Sequence, residues 1–258
     1  MSWLDRVVDR SDTAQRSQAR RVKQAEEIVA AAERLLLATG EAFTIQELVA
    51  EAGIALQTFY RYFPTKDELM LAVLESGITR SCAEIQRVVD TIDDPVEQLR
   101  YLVTAPLRWL SNGDYGRGRI VTQEHFRLHQ ISPEGVAIAT QPFADLLLGV
   151  LRRGQAAGVF HPIDPERDAA LINELTASTY HHYSFTELGN DADAIIDHFW
   201  RFCLMAVGGD ASMAKVDDPK PSSRAAIKTK ARPGAPSPRT TKTAARTRQS
   251  GTRRAPKA

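Results

Sequence analysis

The 258-residue sequence lacks the marks of several large protein classes. Its two cysteines, Cys82 and Cys203, are too few for a disulfide scaffold, so a reducing cytoplasm is the expected compartment. No run approaches the roughly 20 apolar residues of a membrane span. Residues 1–10 hold two Arg and two Asp where a signal peptide needs an apolar stretch. Secreted, membrane and collagen-like classes are therefore set aside. Val/Ile-rich alternating runs are missing as well, which argues against sheet. No nucleophile–base pair, Gly-rich phosphate loop or convincing metal cluster stands out, so the reading is a non-enzyme with no cofactor and no resident metal.

The near-neutral charge conceals an asymmetry. The formal net charge is +1, yet residues 219–258 hold 12 Lys/Arg and no Asp or Glu, whereas residues 1–218 hold 21 basic and 32 acidic side chains. A tail of +12 follows a body of −11. The tail takes six of the 13 prolines and has no aromatic residue, and Ile227 is its single large apolar side chain. Such a segment buries too little surface to offset its ordering entropy, so residues 211–258 are expected to be a disordered basic tail. Its composition fits a polyanion, most plainly DNA, bound by phosphate neutralisation and counterion release. A merely solubilising tail has the same composition.

The body has the length for one or two domains, and its apolar positions recur with a period of 3.6. A short stripe of Trp3, Leu4, Val7 and Val8 follows a capping box at Ser2 and Asp5. A helix is expected over 17–39, with Val22, Ala25, Ile28, Val29, Ala32, Leu35 and Leu36 on one face and Gly40 as its stop. A capping box, Thr44-Ile45-Gln46-Glu47, opens a short helix that ends at Gly53. A second short helix covers 56–62 and is broken by Pro64, and a further box at Thr65 and Glu68 opens a long helix to 89. Later helices are expected at 95–111, 117–130, 134–153, 165–186 and 191–207. Their starts carry Asp94-Pro95, Ser132-Pro133, Asp164-Pro165 and Asp191, as N-caps or proline at the first helical position. Gly113, Gly154 with Gly158, and Gly208-Gly209 are the expected stops.

Residues 43–66 therefore hold two short helices separated by a turn at Gly53. This is helix-turn-helix spacing, in which the second helix enters a major groove and the first crosses the backbone. The run Ala52-Gly53-Ile54-Ala55, then Thr58-Phe59-Tyr60-Arg61-Tyr62-Phe63-Pro64-Thr65-Lys66-Asp67-Glu68-Leu69 resembles the TetR family of bacterial transcriptional regulators. The aromatic block followed by Pro64, Thr65, Lys66 and Glu68-Leu69 carries most of the resemblance. Gly40, Phe43-Thr44-Ile45 and Leu48-Val49 extend it, and it covers about residues 20–75. Residues 151–160 with Asp164-Pro165 are similar to the family's junction before its dimerisation helices.

Physical chemistry assigns candidate DNA contacts within this segment. Thr44 opens a helix whose N–H groups can face a phosphate, with its hydroxyl as a further donor. Gln46 projects from the first turn. Leu56, Gln57 and Thr58 start the second helix, where an amide can read adenine and a methyl can pack on thymine. Tyr60 and Tyr62 offer flat rings with phenol donors, and Arg61 can take guanine or a phosphate. Thr65 caps the next helix, and the resemblance places a phosphate contact at Lys66. Arg20 and Arg21 can reach flanking backbone. Phe59, Phe63, Leu48 and Ile54 are expected to face inward. Ala55 stands where the family usually has a Ser-like cap, so the second helix is expected to lack a side-chain cap, at a cost of about 1 kcal/mol.

The resemblance implies an all-α protein with an N-terminal helix-turn-helix domain and a C-terminal helical ligand-binding and dimerisation domain. The expected divisions are an arm at 1–16, a DNA-binding domain at 17–75, a regulatory domain at 76–210 and the tail at 211–258. It further implies an inducer pocket between about 95 and 186, with Tyr101, Trp109, Tyr115, Phe126, Phe143, Leu147, Tyr180 and Phe185 as lining candidates; aromatics at this spacing are equally core-forming. Leu171, Leu175, Ile195, Ile196, Phe199, Phe202 and Leu204 are dimer-interface candidates on the last two helices, consistent with a palindromic operator. His125 and His129 share a helix face beside Glu124, with His181 and His182 elsewhere. They read either as metal ligands or as polar wall residues, and the second reading is preferred. Cys82 and Cys203 are expected to be buried small residues.

The function expected is a homodimeric, cytoplasmic, nucleoid-bound transcriptional regulator of double-stranded DNA. It would be a repressor released from its operator by a small molecule, with no membrane partner. The alternative is an architectural or nucleoid-associated protein dominated by the basic tail.

Overall fold

In the computed structural model, residues 15–39, 43–161 and 164–209 are described, and every regular element among them is a helix. The order is α1 (Gln15–Thr39), α2 (Ile45–Ala52), α3 (Leu56–Tyr62), α4 (Lys66–Val89), α5 (Pro95–Ser111), α6 (Tyr115–Ile131), α7 (Pro133–Ala156), α8 (Pro165–Thr186), a 3₁₀ turn at Gly189–Asp191, and α9 (Ala192–Ala206). The expected helices all form, with bounds that move by a few residues at most. The stripe around Trp3, the stop at Gly40 and the tail lie outside the described residues.

Local chemistry sets most boundaries. Asp94, Ser132 and Asp164 accept hydrogen bonds from the N–H groups of Val96, Gly135 and Arg167, each with a proline next in the chain, so the side chain satisfies an orphan donor where proline has none to satisfy. Asp191 departs from expectation. The 3₁₀ turn holds it at φ −95° and ψ 12°, and its side chain makes no cap hydrogen bond, because the extended backbone that aims a capping oxygen is absent. Gly154 is a second departure. It does not end α7, which continues to Ala156; Phe160 instead folds back so that its ring occupies the space a Cβ on Gly154 would need. The reversal that permits this is at Gly158, with φ +72°.

Two apolar cores share α4. The first gathers Ala25, Ile28, Val29 and Leu36 of α1, Phe43, Leu48 of α2, Phe59 and Tyr62 of α3, Phe63, and Leu69, Met70 and Leu74 of α4, together with Leu128 of α6 and Val136 and Ala139 of α7. The second takes Ile85 and Val89 from the other half of α4, with Leu99, Leu102 and Leu107 of α5, Leu147, Val150 and Leu151 of α7, Phe160, Ile172 of α8, and Ile196, Phe199, Trp200 and Leu204 of α9. The expected division at 75/76 thus falls inside one continuous helix. Removing these side chains from water is the main favourable term holding the bundle. By length and composition α7 would suffice to cross a membrane, against expectation; its apolar residues Val136, Ala139, Leu147, Val150 and Leu151 are buried in the two cores.

Cys82 and Cys203 are both free and buried. Burial pushes each thiol up to about 12, with Asp145 adding to the shift at Cys82, so both stay protonated and poorly nucleophilic at neutral pH.

The Gly154–Phe160 contact yields a prediction. Gly154→Ala forces a Cβ into the Phe160 ring and is expected to lower stability by about 1–3 kcal/mol, as overpacking does elsewhere. A fall in the urea-unfolding midpoint without change in helical content checks it.

Candidate nucleic-acid interface

The helix-turn-helix is assembled from paired local devices. Thr44, with φ −87° and ψ 159°, caps α2. Its Oγ1 accepts from the Glu47 N–H at 3.2 Å, and the Glu47 carboxylate accepts from the Thr44 N–H at 2.7 Å and from the Thr44 hydroxyl at 2.9 Å. The reciprocal box is complete. These bonds, chiefly the one from the Thr44 backbone N–H, hold the Glu47 carboxyl below its ordinary value. The Thr44 hydroxyl, expected as a phosphate donor, donates here to Glu47. Gln46 and Glu47 are both exposed on the same first turn.

The turn is a Schellman motif. Gly53 sits at φ +63° and ψ 35°; its N–H donates to Ala50 O at 3.3 Å, and Ile54 N–H donates to Val49 O at 3.0 Å. This left-handed conformation is open to glycine without a Cβ penalty. Ala55 then opens α3 with no side-chain cap, leaving its carbonyl to accept from Thr58 N–H and Phe59 N–H at 2.9 and 3.2 Å.

The two faces of α3 divide cleanly. Phe59 and Phe63 are buried, stacked at 6.1 Å between ring centroids, in the core that holds Leu48. Ile54 packs against that core, half-buried. Leu56, Gln57, Tyr60 and Arg61 face solvent, Tyr60 being 47% exposed, while Thr58 is half-buried. Gln57, Thr58, Tyr60 and Arg61 line one shallow concavity. Tyr62 departs from its expected role: only 7% exposed, it belongs to the core, with the Arg61 guanidinium over its ring at 5.3 Å. Its place on the inward face, three residues from Phe59, is the reason.

Thr65 is exposed and caps α4 by accepting from Glu68 N–H at 3.1 Å. Lys66 follows, and its ammonium donates to the Phe43 carbonyl and lies 4.7 Å from the centroid of the Phe43 ring. The residue expected to touch phosphate thus also ties the start of α4 to the residue preceding the α2 cap. Asp67, next in the chain, accepts from Arg127 of α6 at 2.6 Å, and Arg127 also pairs with Glu124 at 2.9 Å. Sequence reading missed this tie, because sixty residues separate the partners and no local spacing marks them. Arg20 is exposed on α1. Arg34 of α1 meets Glu51 of α2 at 2.7 Å, bracing the helix that packs under α3.

The regulatory candidates separate by depth. Tyr101, Trp109, Phe143 and Tyr180 are half-buried against the second core, and Leu147 is wholly within it. Tyr115 is also half-buried, its hydroxyl accepting from Leu188 N–H at 3.0 Å. Burial, aided by Asp114, pushes the Tyr180 phenol up to about 12. Phe126 and Phe185 instead lie on the surface, Phe126 being 55% exposed. Of the interface candidates, Leu171 and Phe202 are exposed at 68% and 52%, Leu175 and Ile195 are half-buried, and Ile196, Phe199 and Leu204 are core. Met205, exposed three residues after Phe202, was not anticipated.

Comparison with known proteins bears on this arrangement. The family described as "Bacterial regulatory proteins, tetR family" matches residues 28–73, which run from the middle of α1 through the helix-turn-helix into α4. Over those residues the chain is similar to the TetR family. Among its relatives is the HTH-type transcriptional activator FasR of Mycolicibacterium smegmatis, 24% identical over 128 residues, or 46% of this chain and 58% of FasR. The helical fold of the body is shared with solved structures. FadR of Thermus thermophilus, a transcriptional repressor in complex with lauroyl-CoA, superposes with a TM-score of 0.57 at 22% identity, over 77% of this chain and 100% of FadR. RolR in complex with resorcinol gives 0.56 at 20% identity, over 76% and 93% of the two chains.

The capping box generates a prediction with a defined sign. Because the folded Glu47 carboxyl is held below its ordinary value, its contribution to stability is present at neutral pH and is lost as pH falls through that lowered value. Thr44→Ala is expected to cost about 1 kcal/mol at neutral pH. Glu47→Gln should differ from the parent at neutral pH, with the gap closing on acidification; urea midpoints measured across pH check both.

Proposed function

We propose that the protein is a sequence-specific, homodimeric DNA-binding transcriptional regulator, acting as a repressor that a small molecule releases from a palindromic operator. The observation that carries this reading is the outward face of α3, where Leu56, Gln57, Tyr60 and Arg61 stand exposed on a helix whose other face is anchored by Phe59. An amide, a thymine-matching apolar side chain, a phenol and a guanidinium are suited to base edges and phosphates in a major groove. Thr44, Gln46, Thr58, Thr65 and Lys66 are assigned to the flanking contacts, the first through its helix N-terminus rather than its hydroxyl. The sequence of residues 1–218 carries 21 basic and 32 acidic side chains, so DNA is repelled away from this local patch, which favours specific over indiscriminate contact.

We assign dimerisation to α8 and α9, where Leu171, Phe185, Phe202 and Met205 are large apolar side chains left in solvent. A two-fold pairing through them would set two α3 helices against successive major grooves, about 34–36 Å apart. The inducer pocket is assigned to the half-buried aromatics Tyr101, Trp109, Phe143 and Tyr180. The lauroyl-CoA of FadR and the resorcinol of RolR define the two ligand chemistries to try first, a long acyl chain and a small phenol. The cytoplasm, at the nucleoid, is the assigned site of action.

Enrichment of genomic fragments on the purified protein, followed by binding to the recovered site, tests the assignment. Tyr60→Ala and Gln57→Ala are each expected to weaken specific binding about 10-fold or more, the usual scale for a lost base contact, with unchanged helical content. Phe202→Glu should yield a monomer by light scattering. A reporter driven from the recovered site should be silenced by the protein; activation would overturn the repressor reading. Unaltered affinity in a Tyr60→Ala, Arg61→Ala double variant would refute the placement of α3.

A further inference from the structure

We propose that Tyr115 and Arg119 of α6 form a latch on the corner between α8 and α9, holding a helix break at Glu187 that this residue does not adopt unaided. Helices commonly close on a glycine in the left-handed conformation, where no Cβ crowds the following carbonyl oxygen. α8 closes on a glutamate instead. Glu187 stands at φ +59° and ψ 150°, the single non-glycine residue with positive φ among the described residues. That backbone lies at the edge of a region occupied almost solely by glycine, and it persists only where the surroundings over-determine it.

The over-determination comes from α6. The Glu187 N–H still donates to Tyr183 O at 3.1 Å, as in a continuing helix. The next bond of that ladder would run from Leu188 N–H to Ser184 O, and the turn at Glu187 leaves it unmade. Each of its two ends is taken up by a different side chain of α6. Leu188 N–H donates to the Tyr115 hydroxyl at 3.0 Å, and Arg119 Nε donates to Ser184 O at 3.0 Å. A second arm of the same guanidinium donates to the Glu187 carboxylate at 2.7 Å. Tyr115 and Arg119 are four residues apart, so they share one face of α6. Gly118 lets that helix come close, since a Cβ there would stand 2.8 Å from Ser184 Oγ.

The released state is defined by the same atoms. With Glu187 in the right-handed region, Leu188 N–H and Ser184 O would meet and α8 would run on past Thr186. The Arg119–Glu187 ion pair does not prevent this by itself: its side chains are 43% and 54% exposed, and pairs of that kind contribute little. The latch needs the Tyr115 and Ser184 bonds as well, together with the burial of Leu188, 4% exposed in the second core. Its position carries a consequence. It fixes where α8 stops, just past the exposed Phe185, and where the chain turns into α9. The two helices assigned above to dimerisation thus take their relative setting from it. That consequence rests on the dimer assignment, whereas the latch does not.

Glycine and alanine at position 187 separate backbone from side chain, because both lose the carboxylate. In a left-handed position glycine is the more stable of the two, and in a helical or extended one alanine is. In urea unfolding of the full chain, Glu187→Gly is expected to show a folded-to-unfolded ratio about 5- to 30-fold above that of Glu187→Ala. A ratio at or below that of the alanine variant would overturn the latch. Tyr115→Phe and Arg119→Ala are each expected to speed amide exchange at Leu188 roughly 10-fold, with the amides of α2 unchanged. In the Glu187→Gly chain, where no strain is left to release, the same changes should speed it less. Equal acceleration in both backgrounds, or acceleration spread evenly over the chain, would also overturn it. Without any variant, a strong NOE between the Glu187 Hα and amide proton reports the left-handed backbone, and a weak one would refute it. Arg119→Ala is further expected to dissociate to monomers at higher concentration than the parent by light scattering; equal dissociation would refute the consequence for dimerisation. A monomeric parent would refute the dimer assignment, with the glycine–alanine comparison still deciding the latch.

Discussion

A helix of seven residues cannot hold itself together, because its few internal hydrogen bonds do not repay the cost of nucleation. α3 is such a helix, and the burial of Phe59 and Phe63 is the constraint on which the rest of the interface depends. Those two rings, packed into the core that also contains Leu48 and Leu69, convert a marginal turn of chain into a fixed platform. Every outward side chain of α3 takes its direction from them. Tyr62 follows from the same geometry: three residues from Phe59, it shares the inward face and is withdrawn from solvent.

The platform is in turn held by short polar ties of unequal reach. The Thr44–Glu47 box and the Gly53 turn are local and set the angle between α2 and α3. Lys66 joins the start of α4 to Phe43, and Asp67 joins the same turn to Arg127 of α6. Two adjacent residues of α4 therefore face in different directions, one toward the helix-turn-helix and one toward the later helices. Both charged partners of the Asp67–Arg127 contact are partly exposed, so its value lies more in fixing relative position than in stability.

The apolar residues of α8 and α9 illustrate how one amphipathic pattern serves two purposes. Ile196, Phe199, Trp200 and Leu204 fill the second core, whereas Leu171, Phe185, Phe202 and Met205 remain in solvent. A helix with apolar residues on more than one face buries only some of them within its own fold.

Much of this was legible in the residues alone. The capping boxes, the proline starts, the left-handed Gly53 and the missing cap at Ala55 are contacts between neighbours within a few positions, so the sequence by itself determined the helices, their order and the turn that makes α2 and α3 a unit. It also determined which side of α3 is aromatic core, through the spacing of Phe59 and Phe63. Only the tertiary structure decided the rest. It withdrew Tyr62, engaged the Thr44 hydroxyl and the Lys66 ammonium, moved Phe126 and Phe185 to the surface, paired Arg127 with Asp67 and brought His181 to His125. The physical reason is common to all of these. Periodicity reports that a side chain faces away from its own helix axis, but which neighbour it meets depends on how helices far apart in the chain cross.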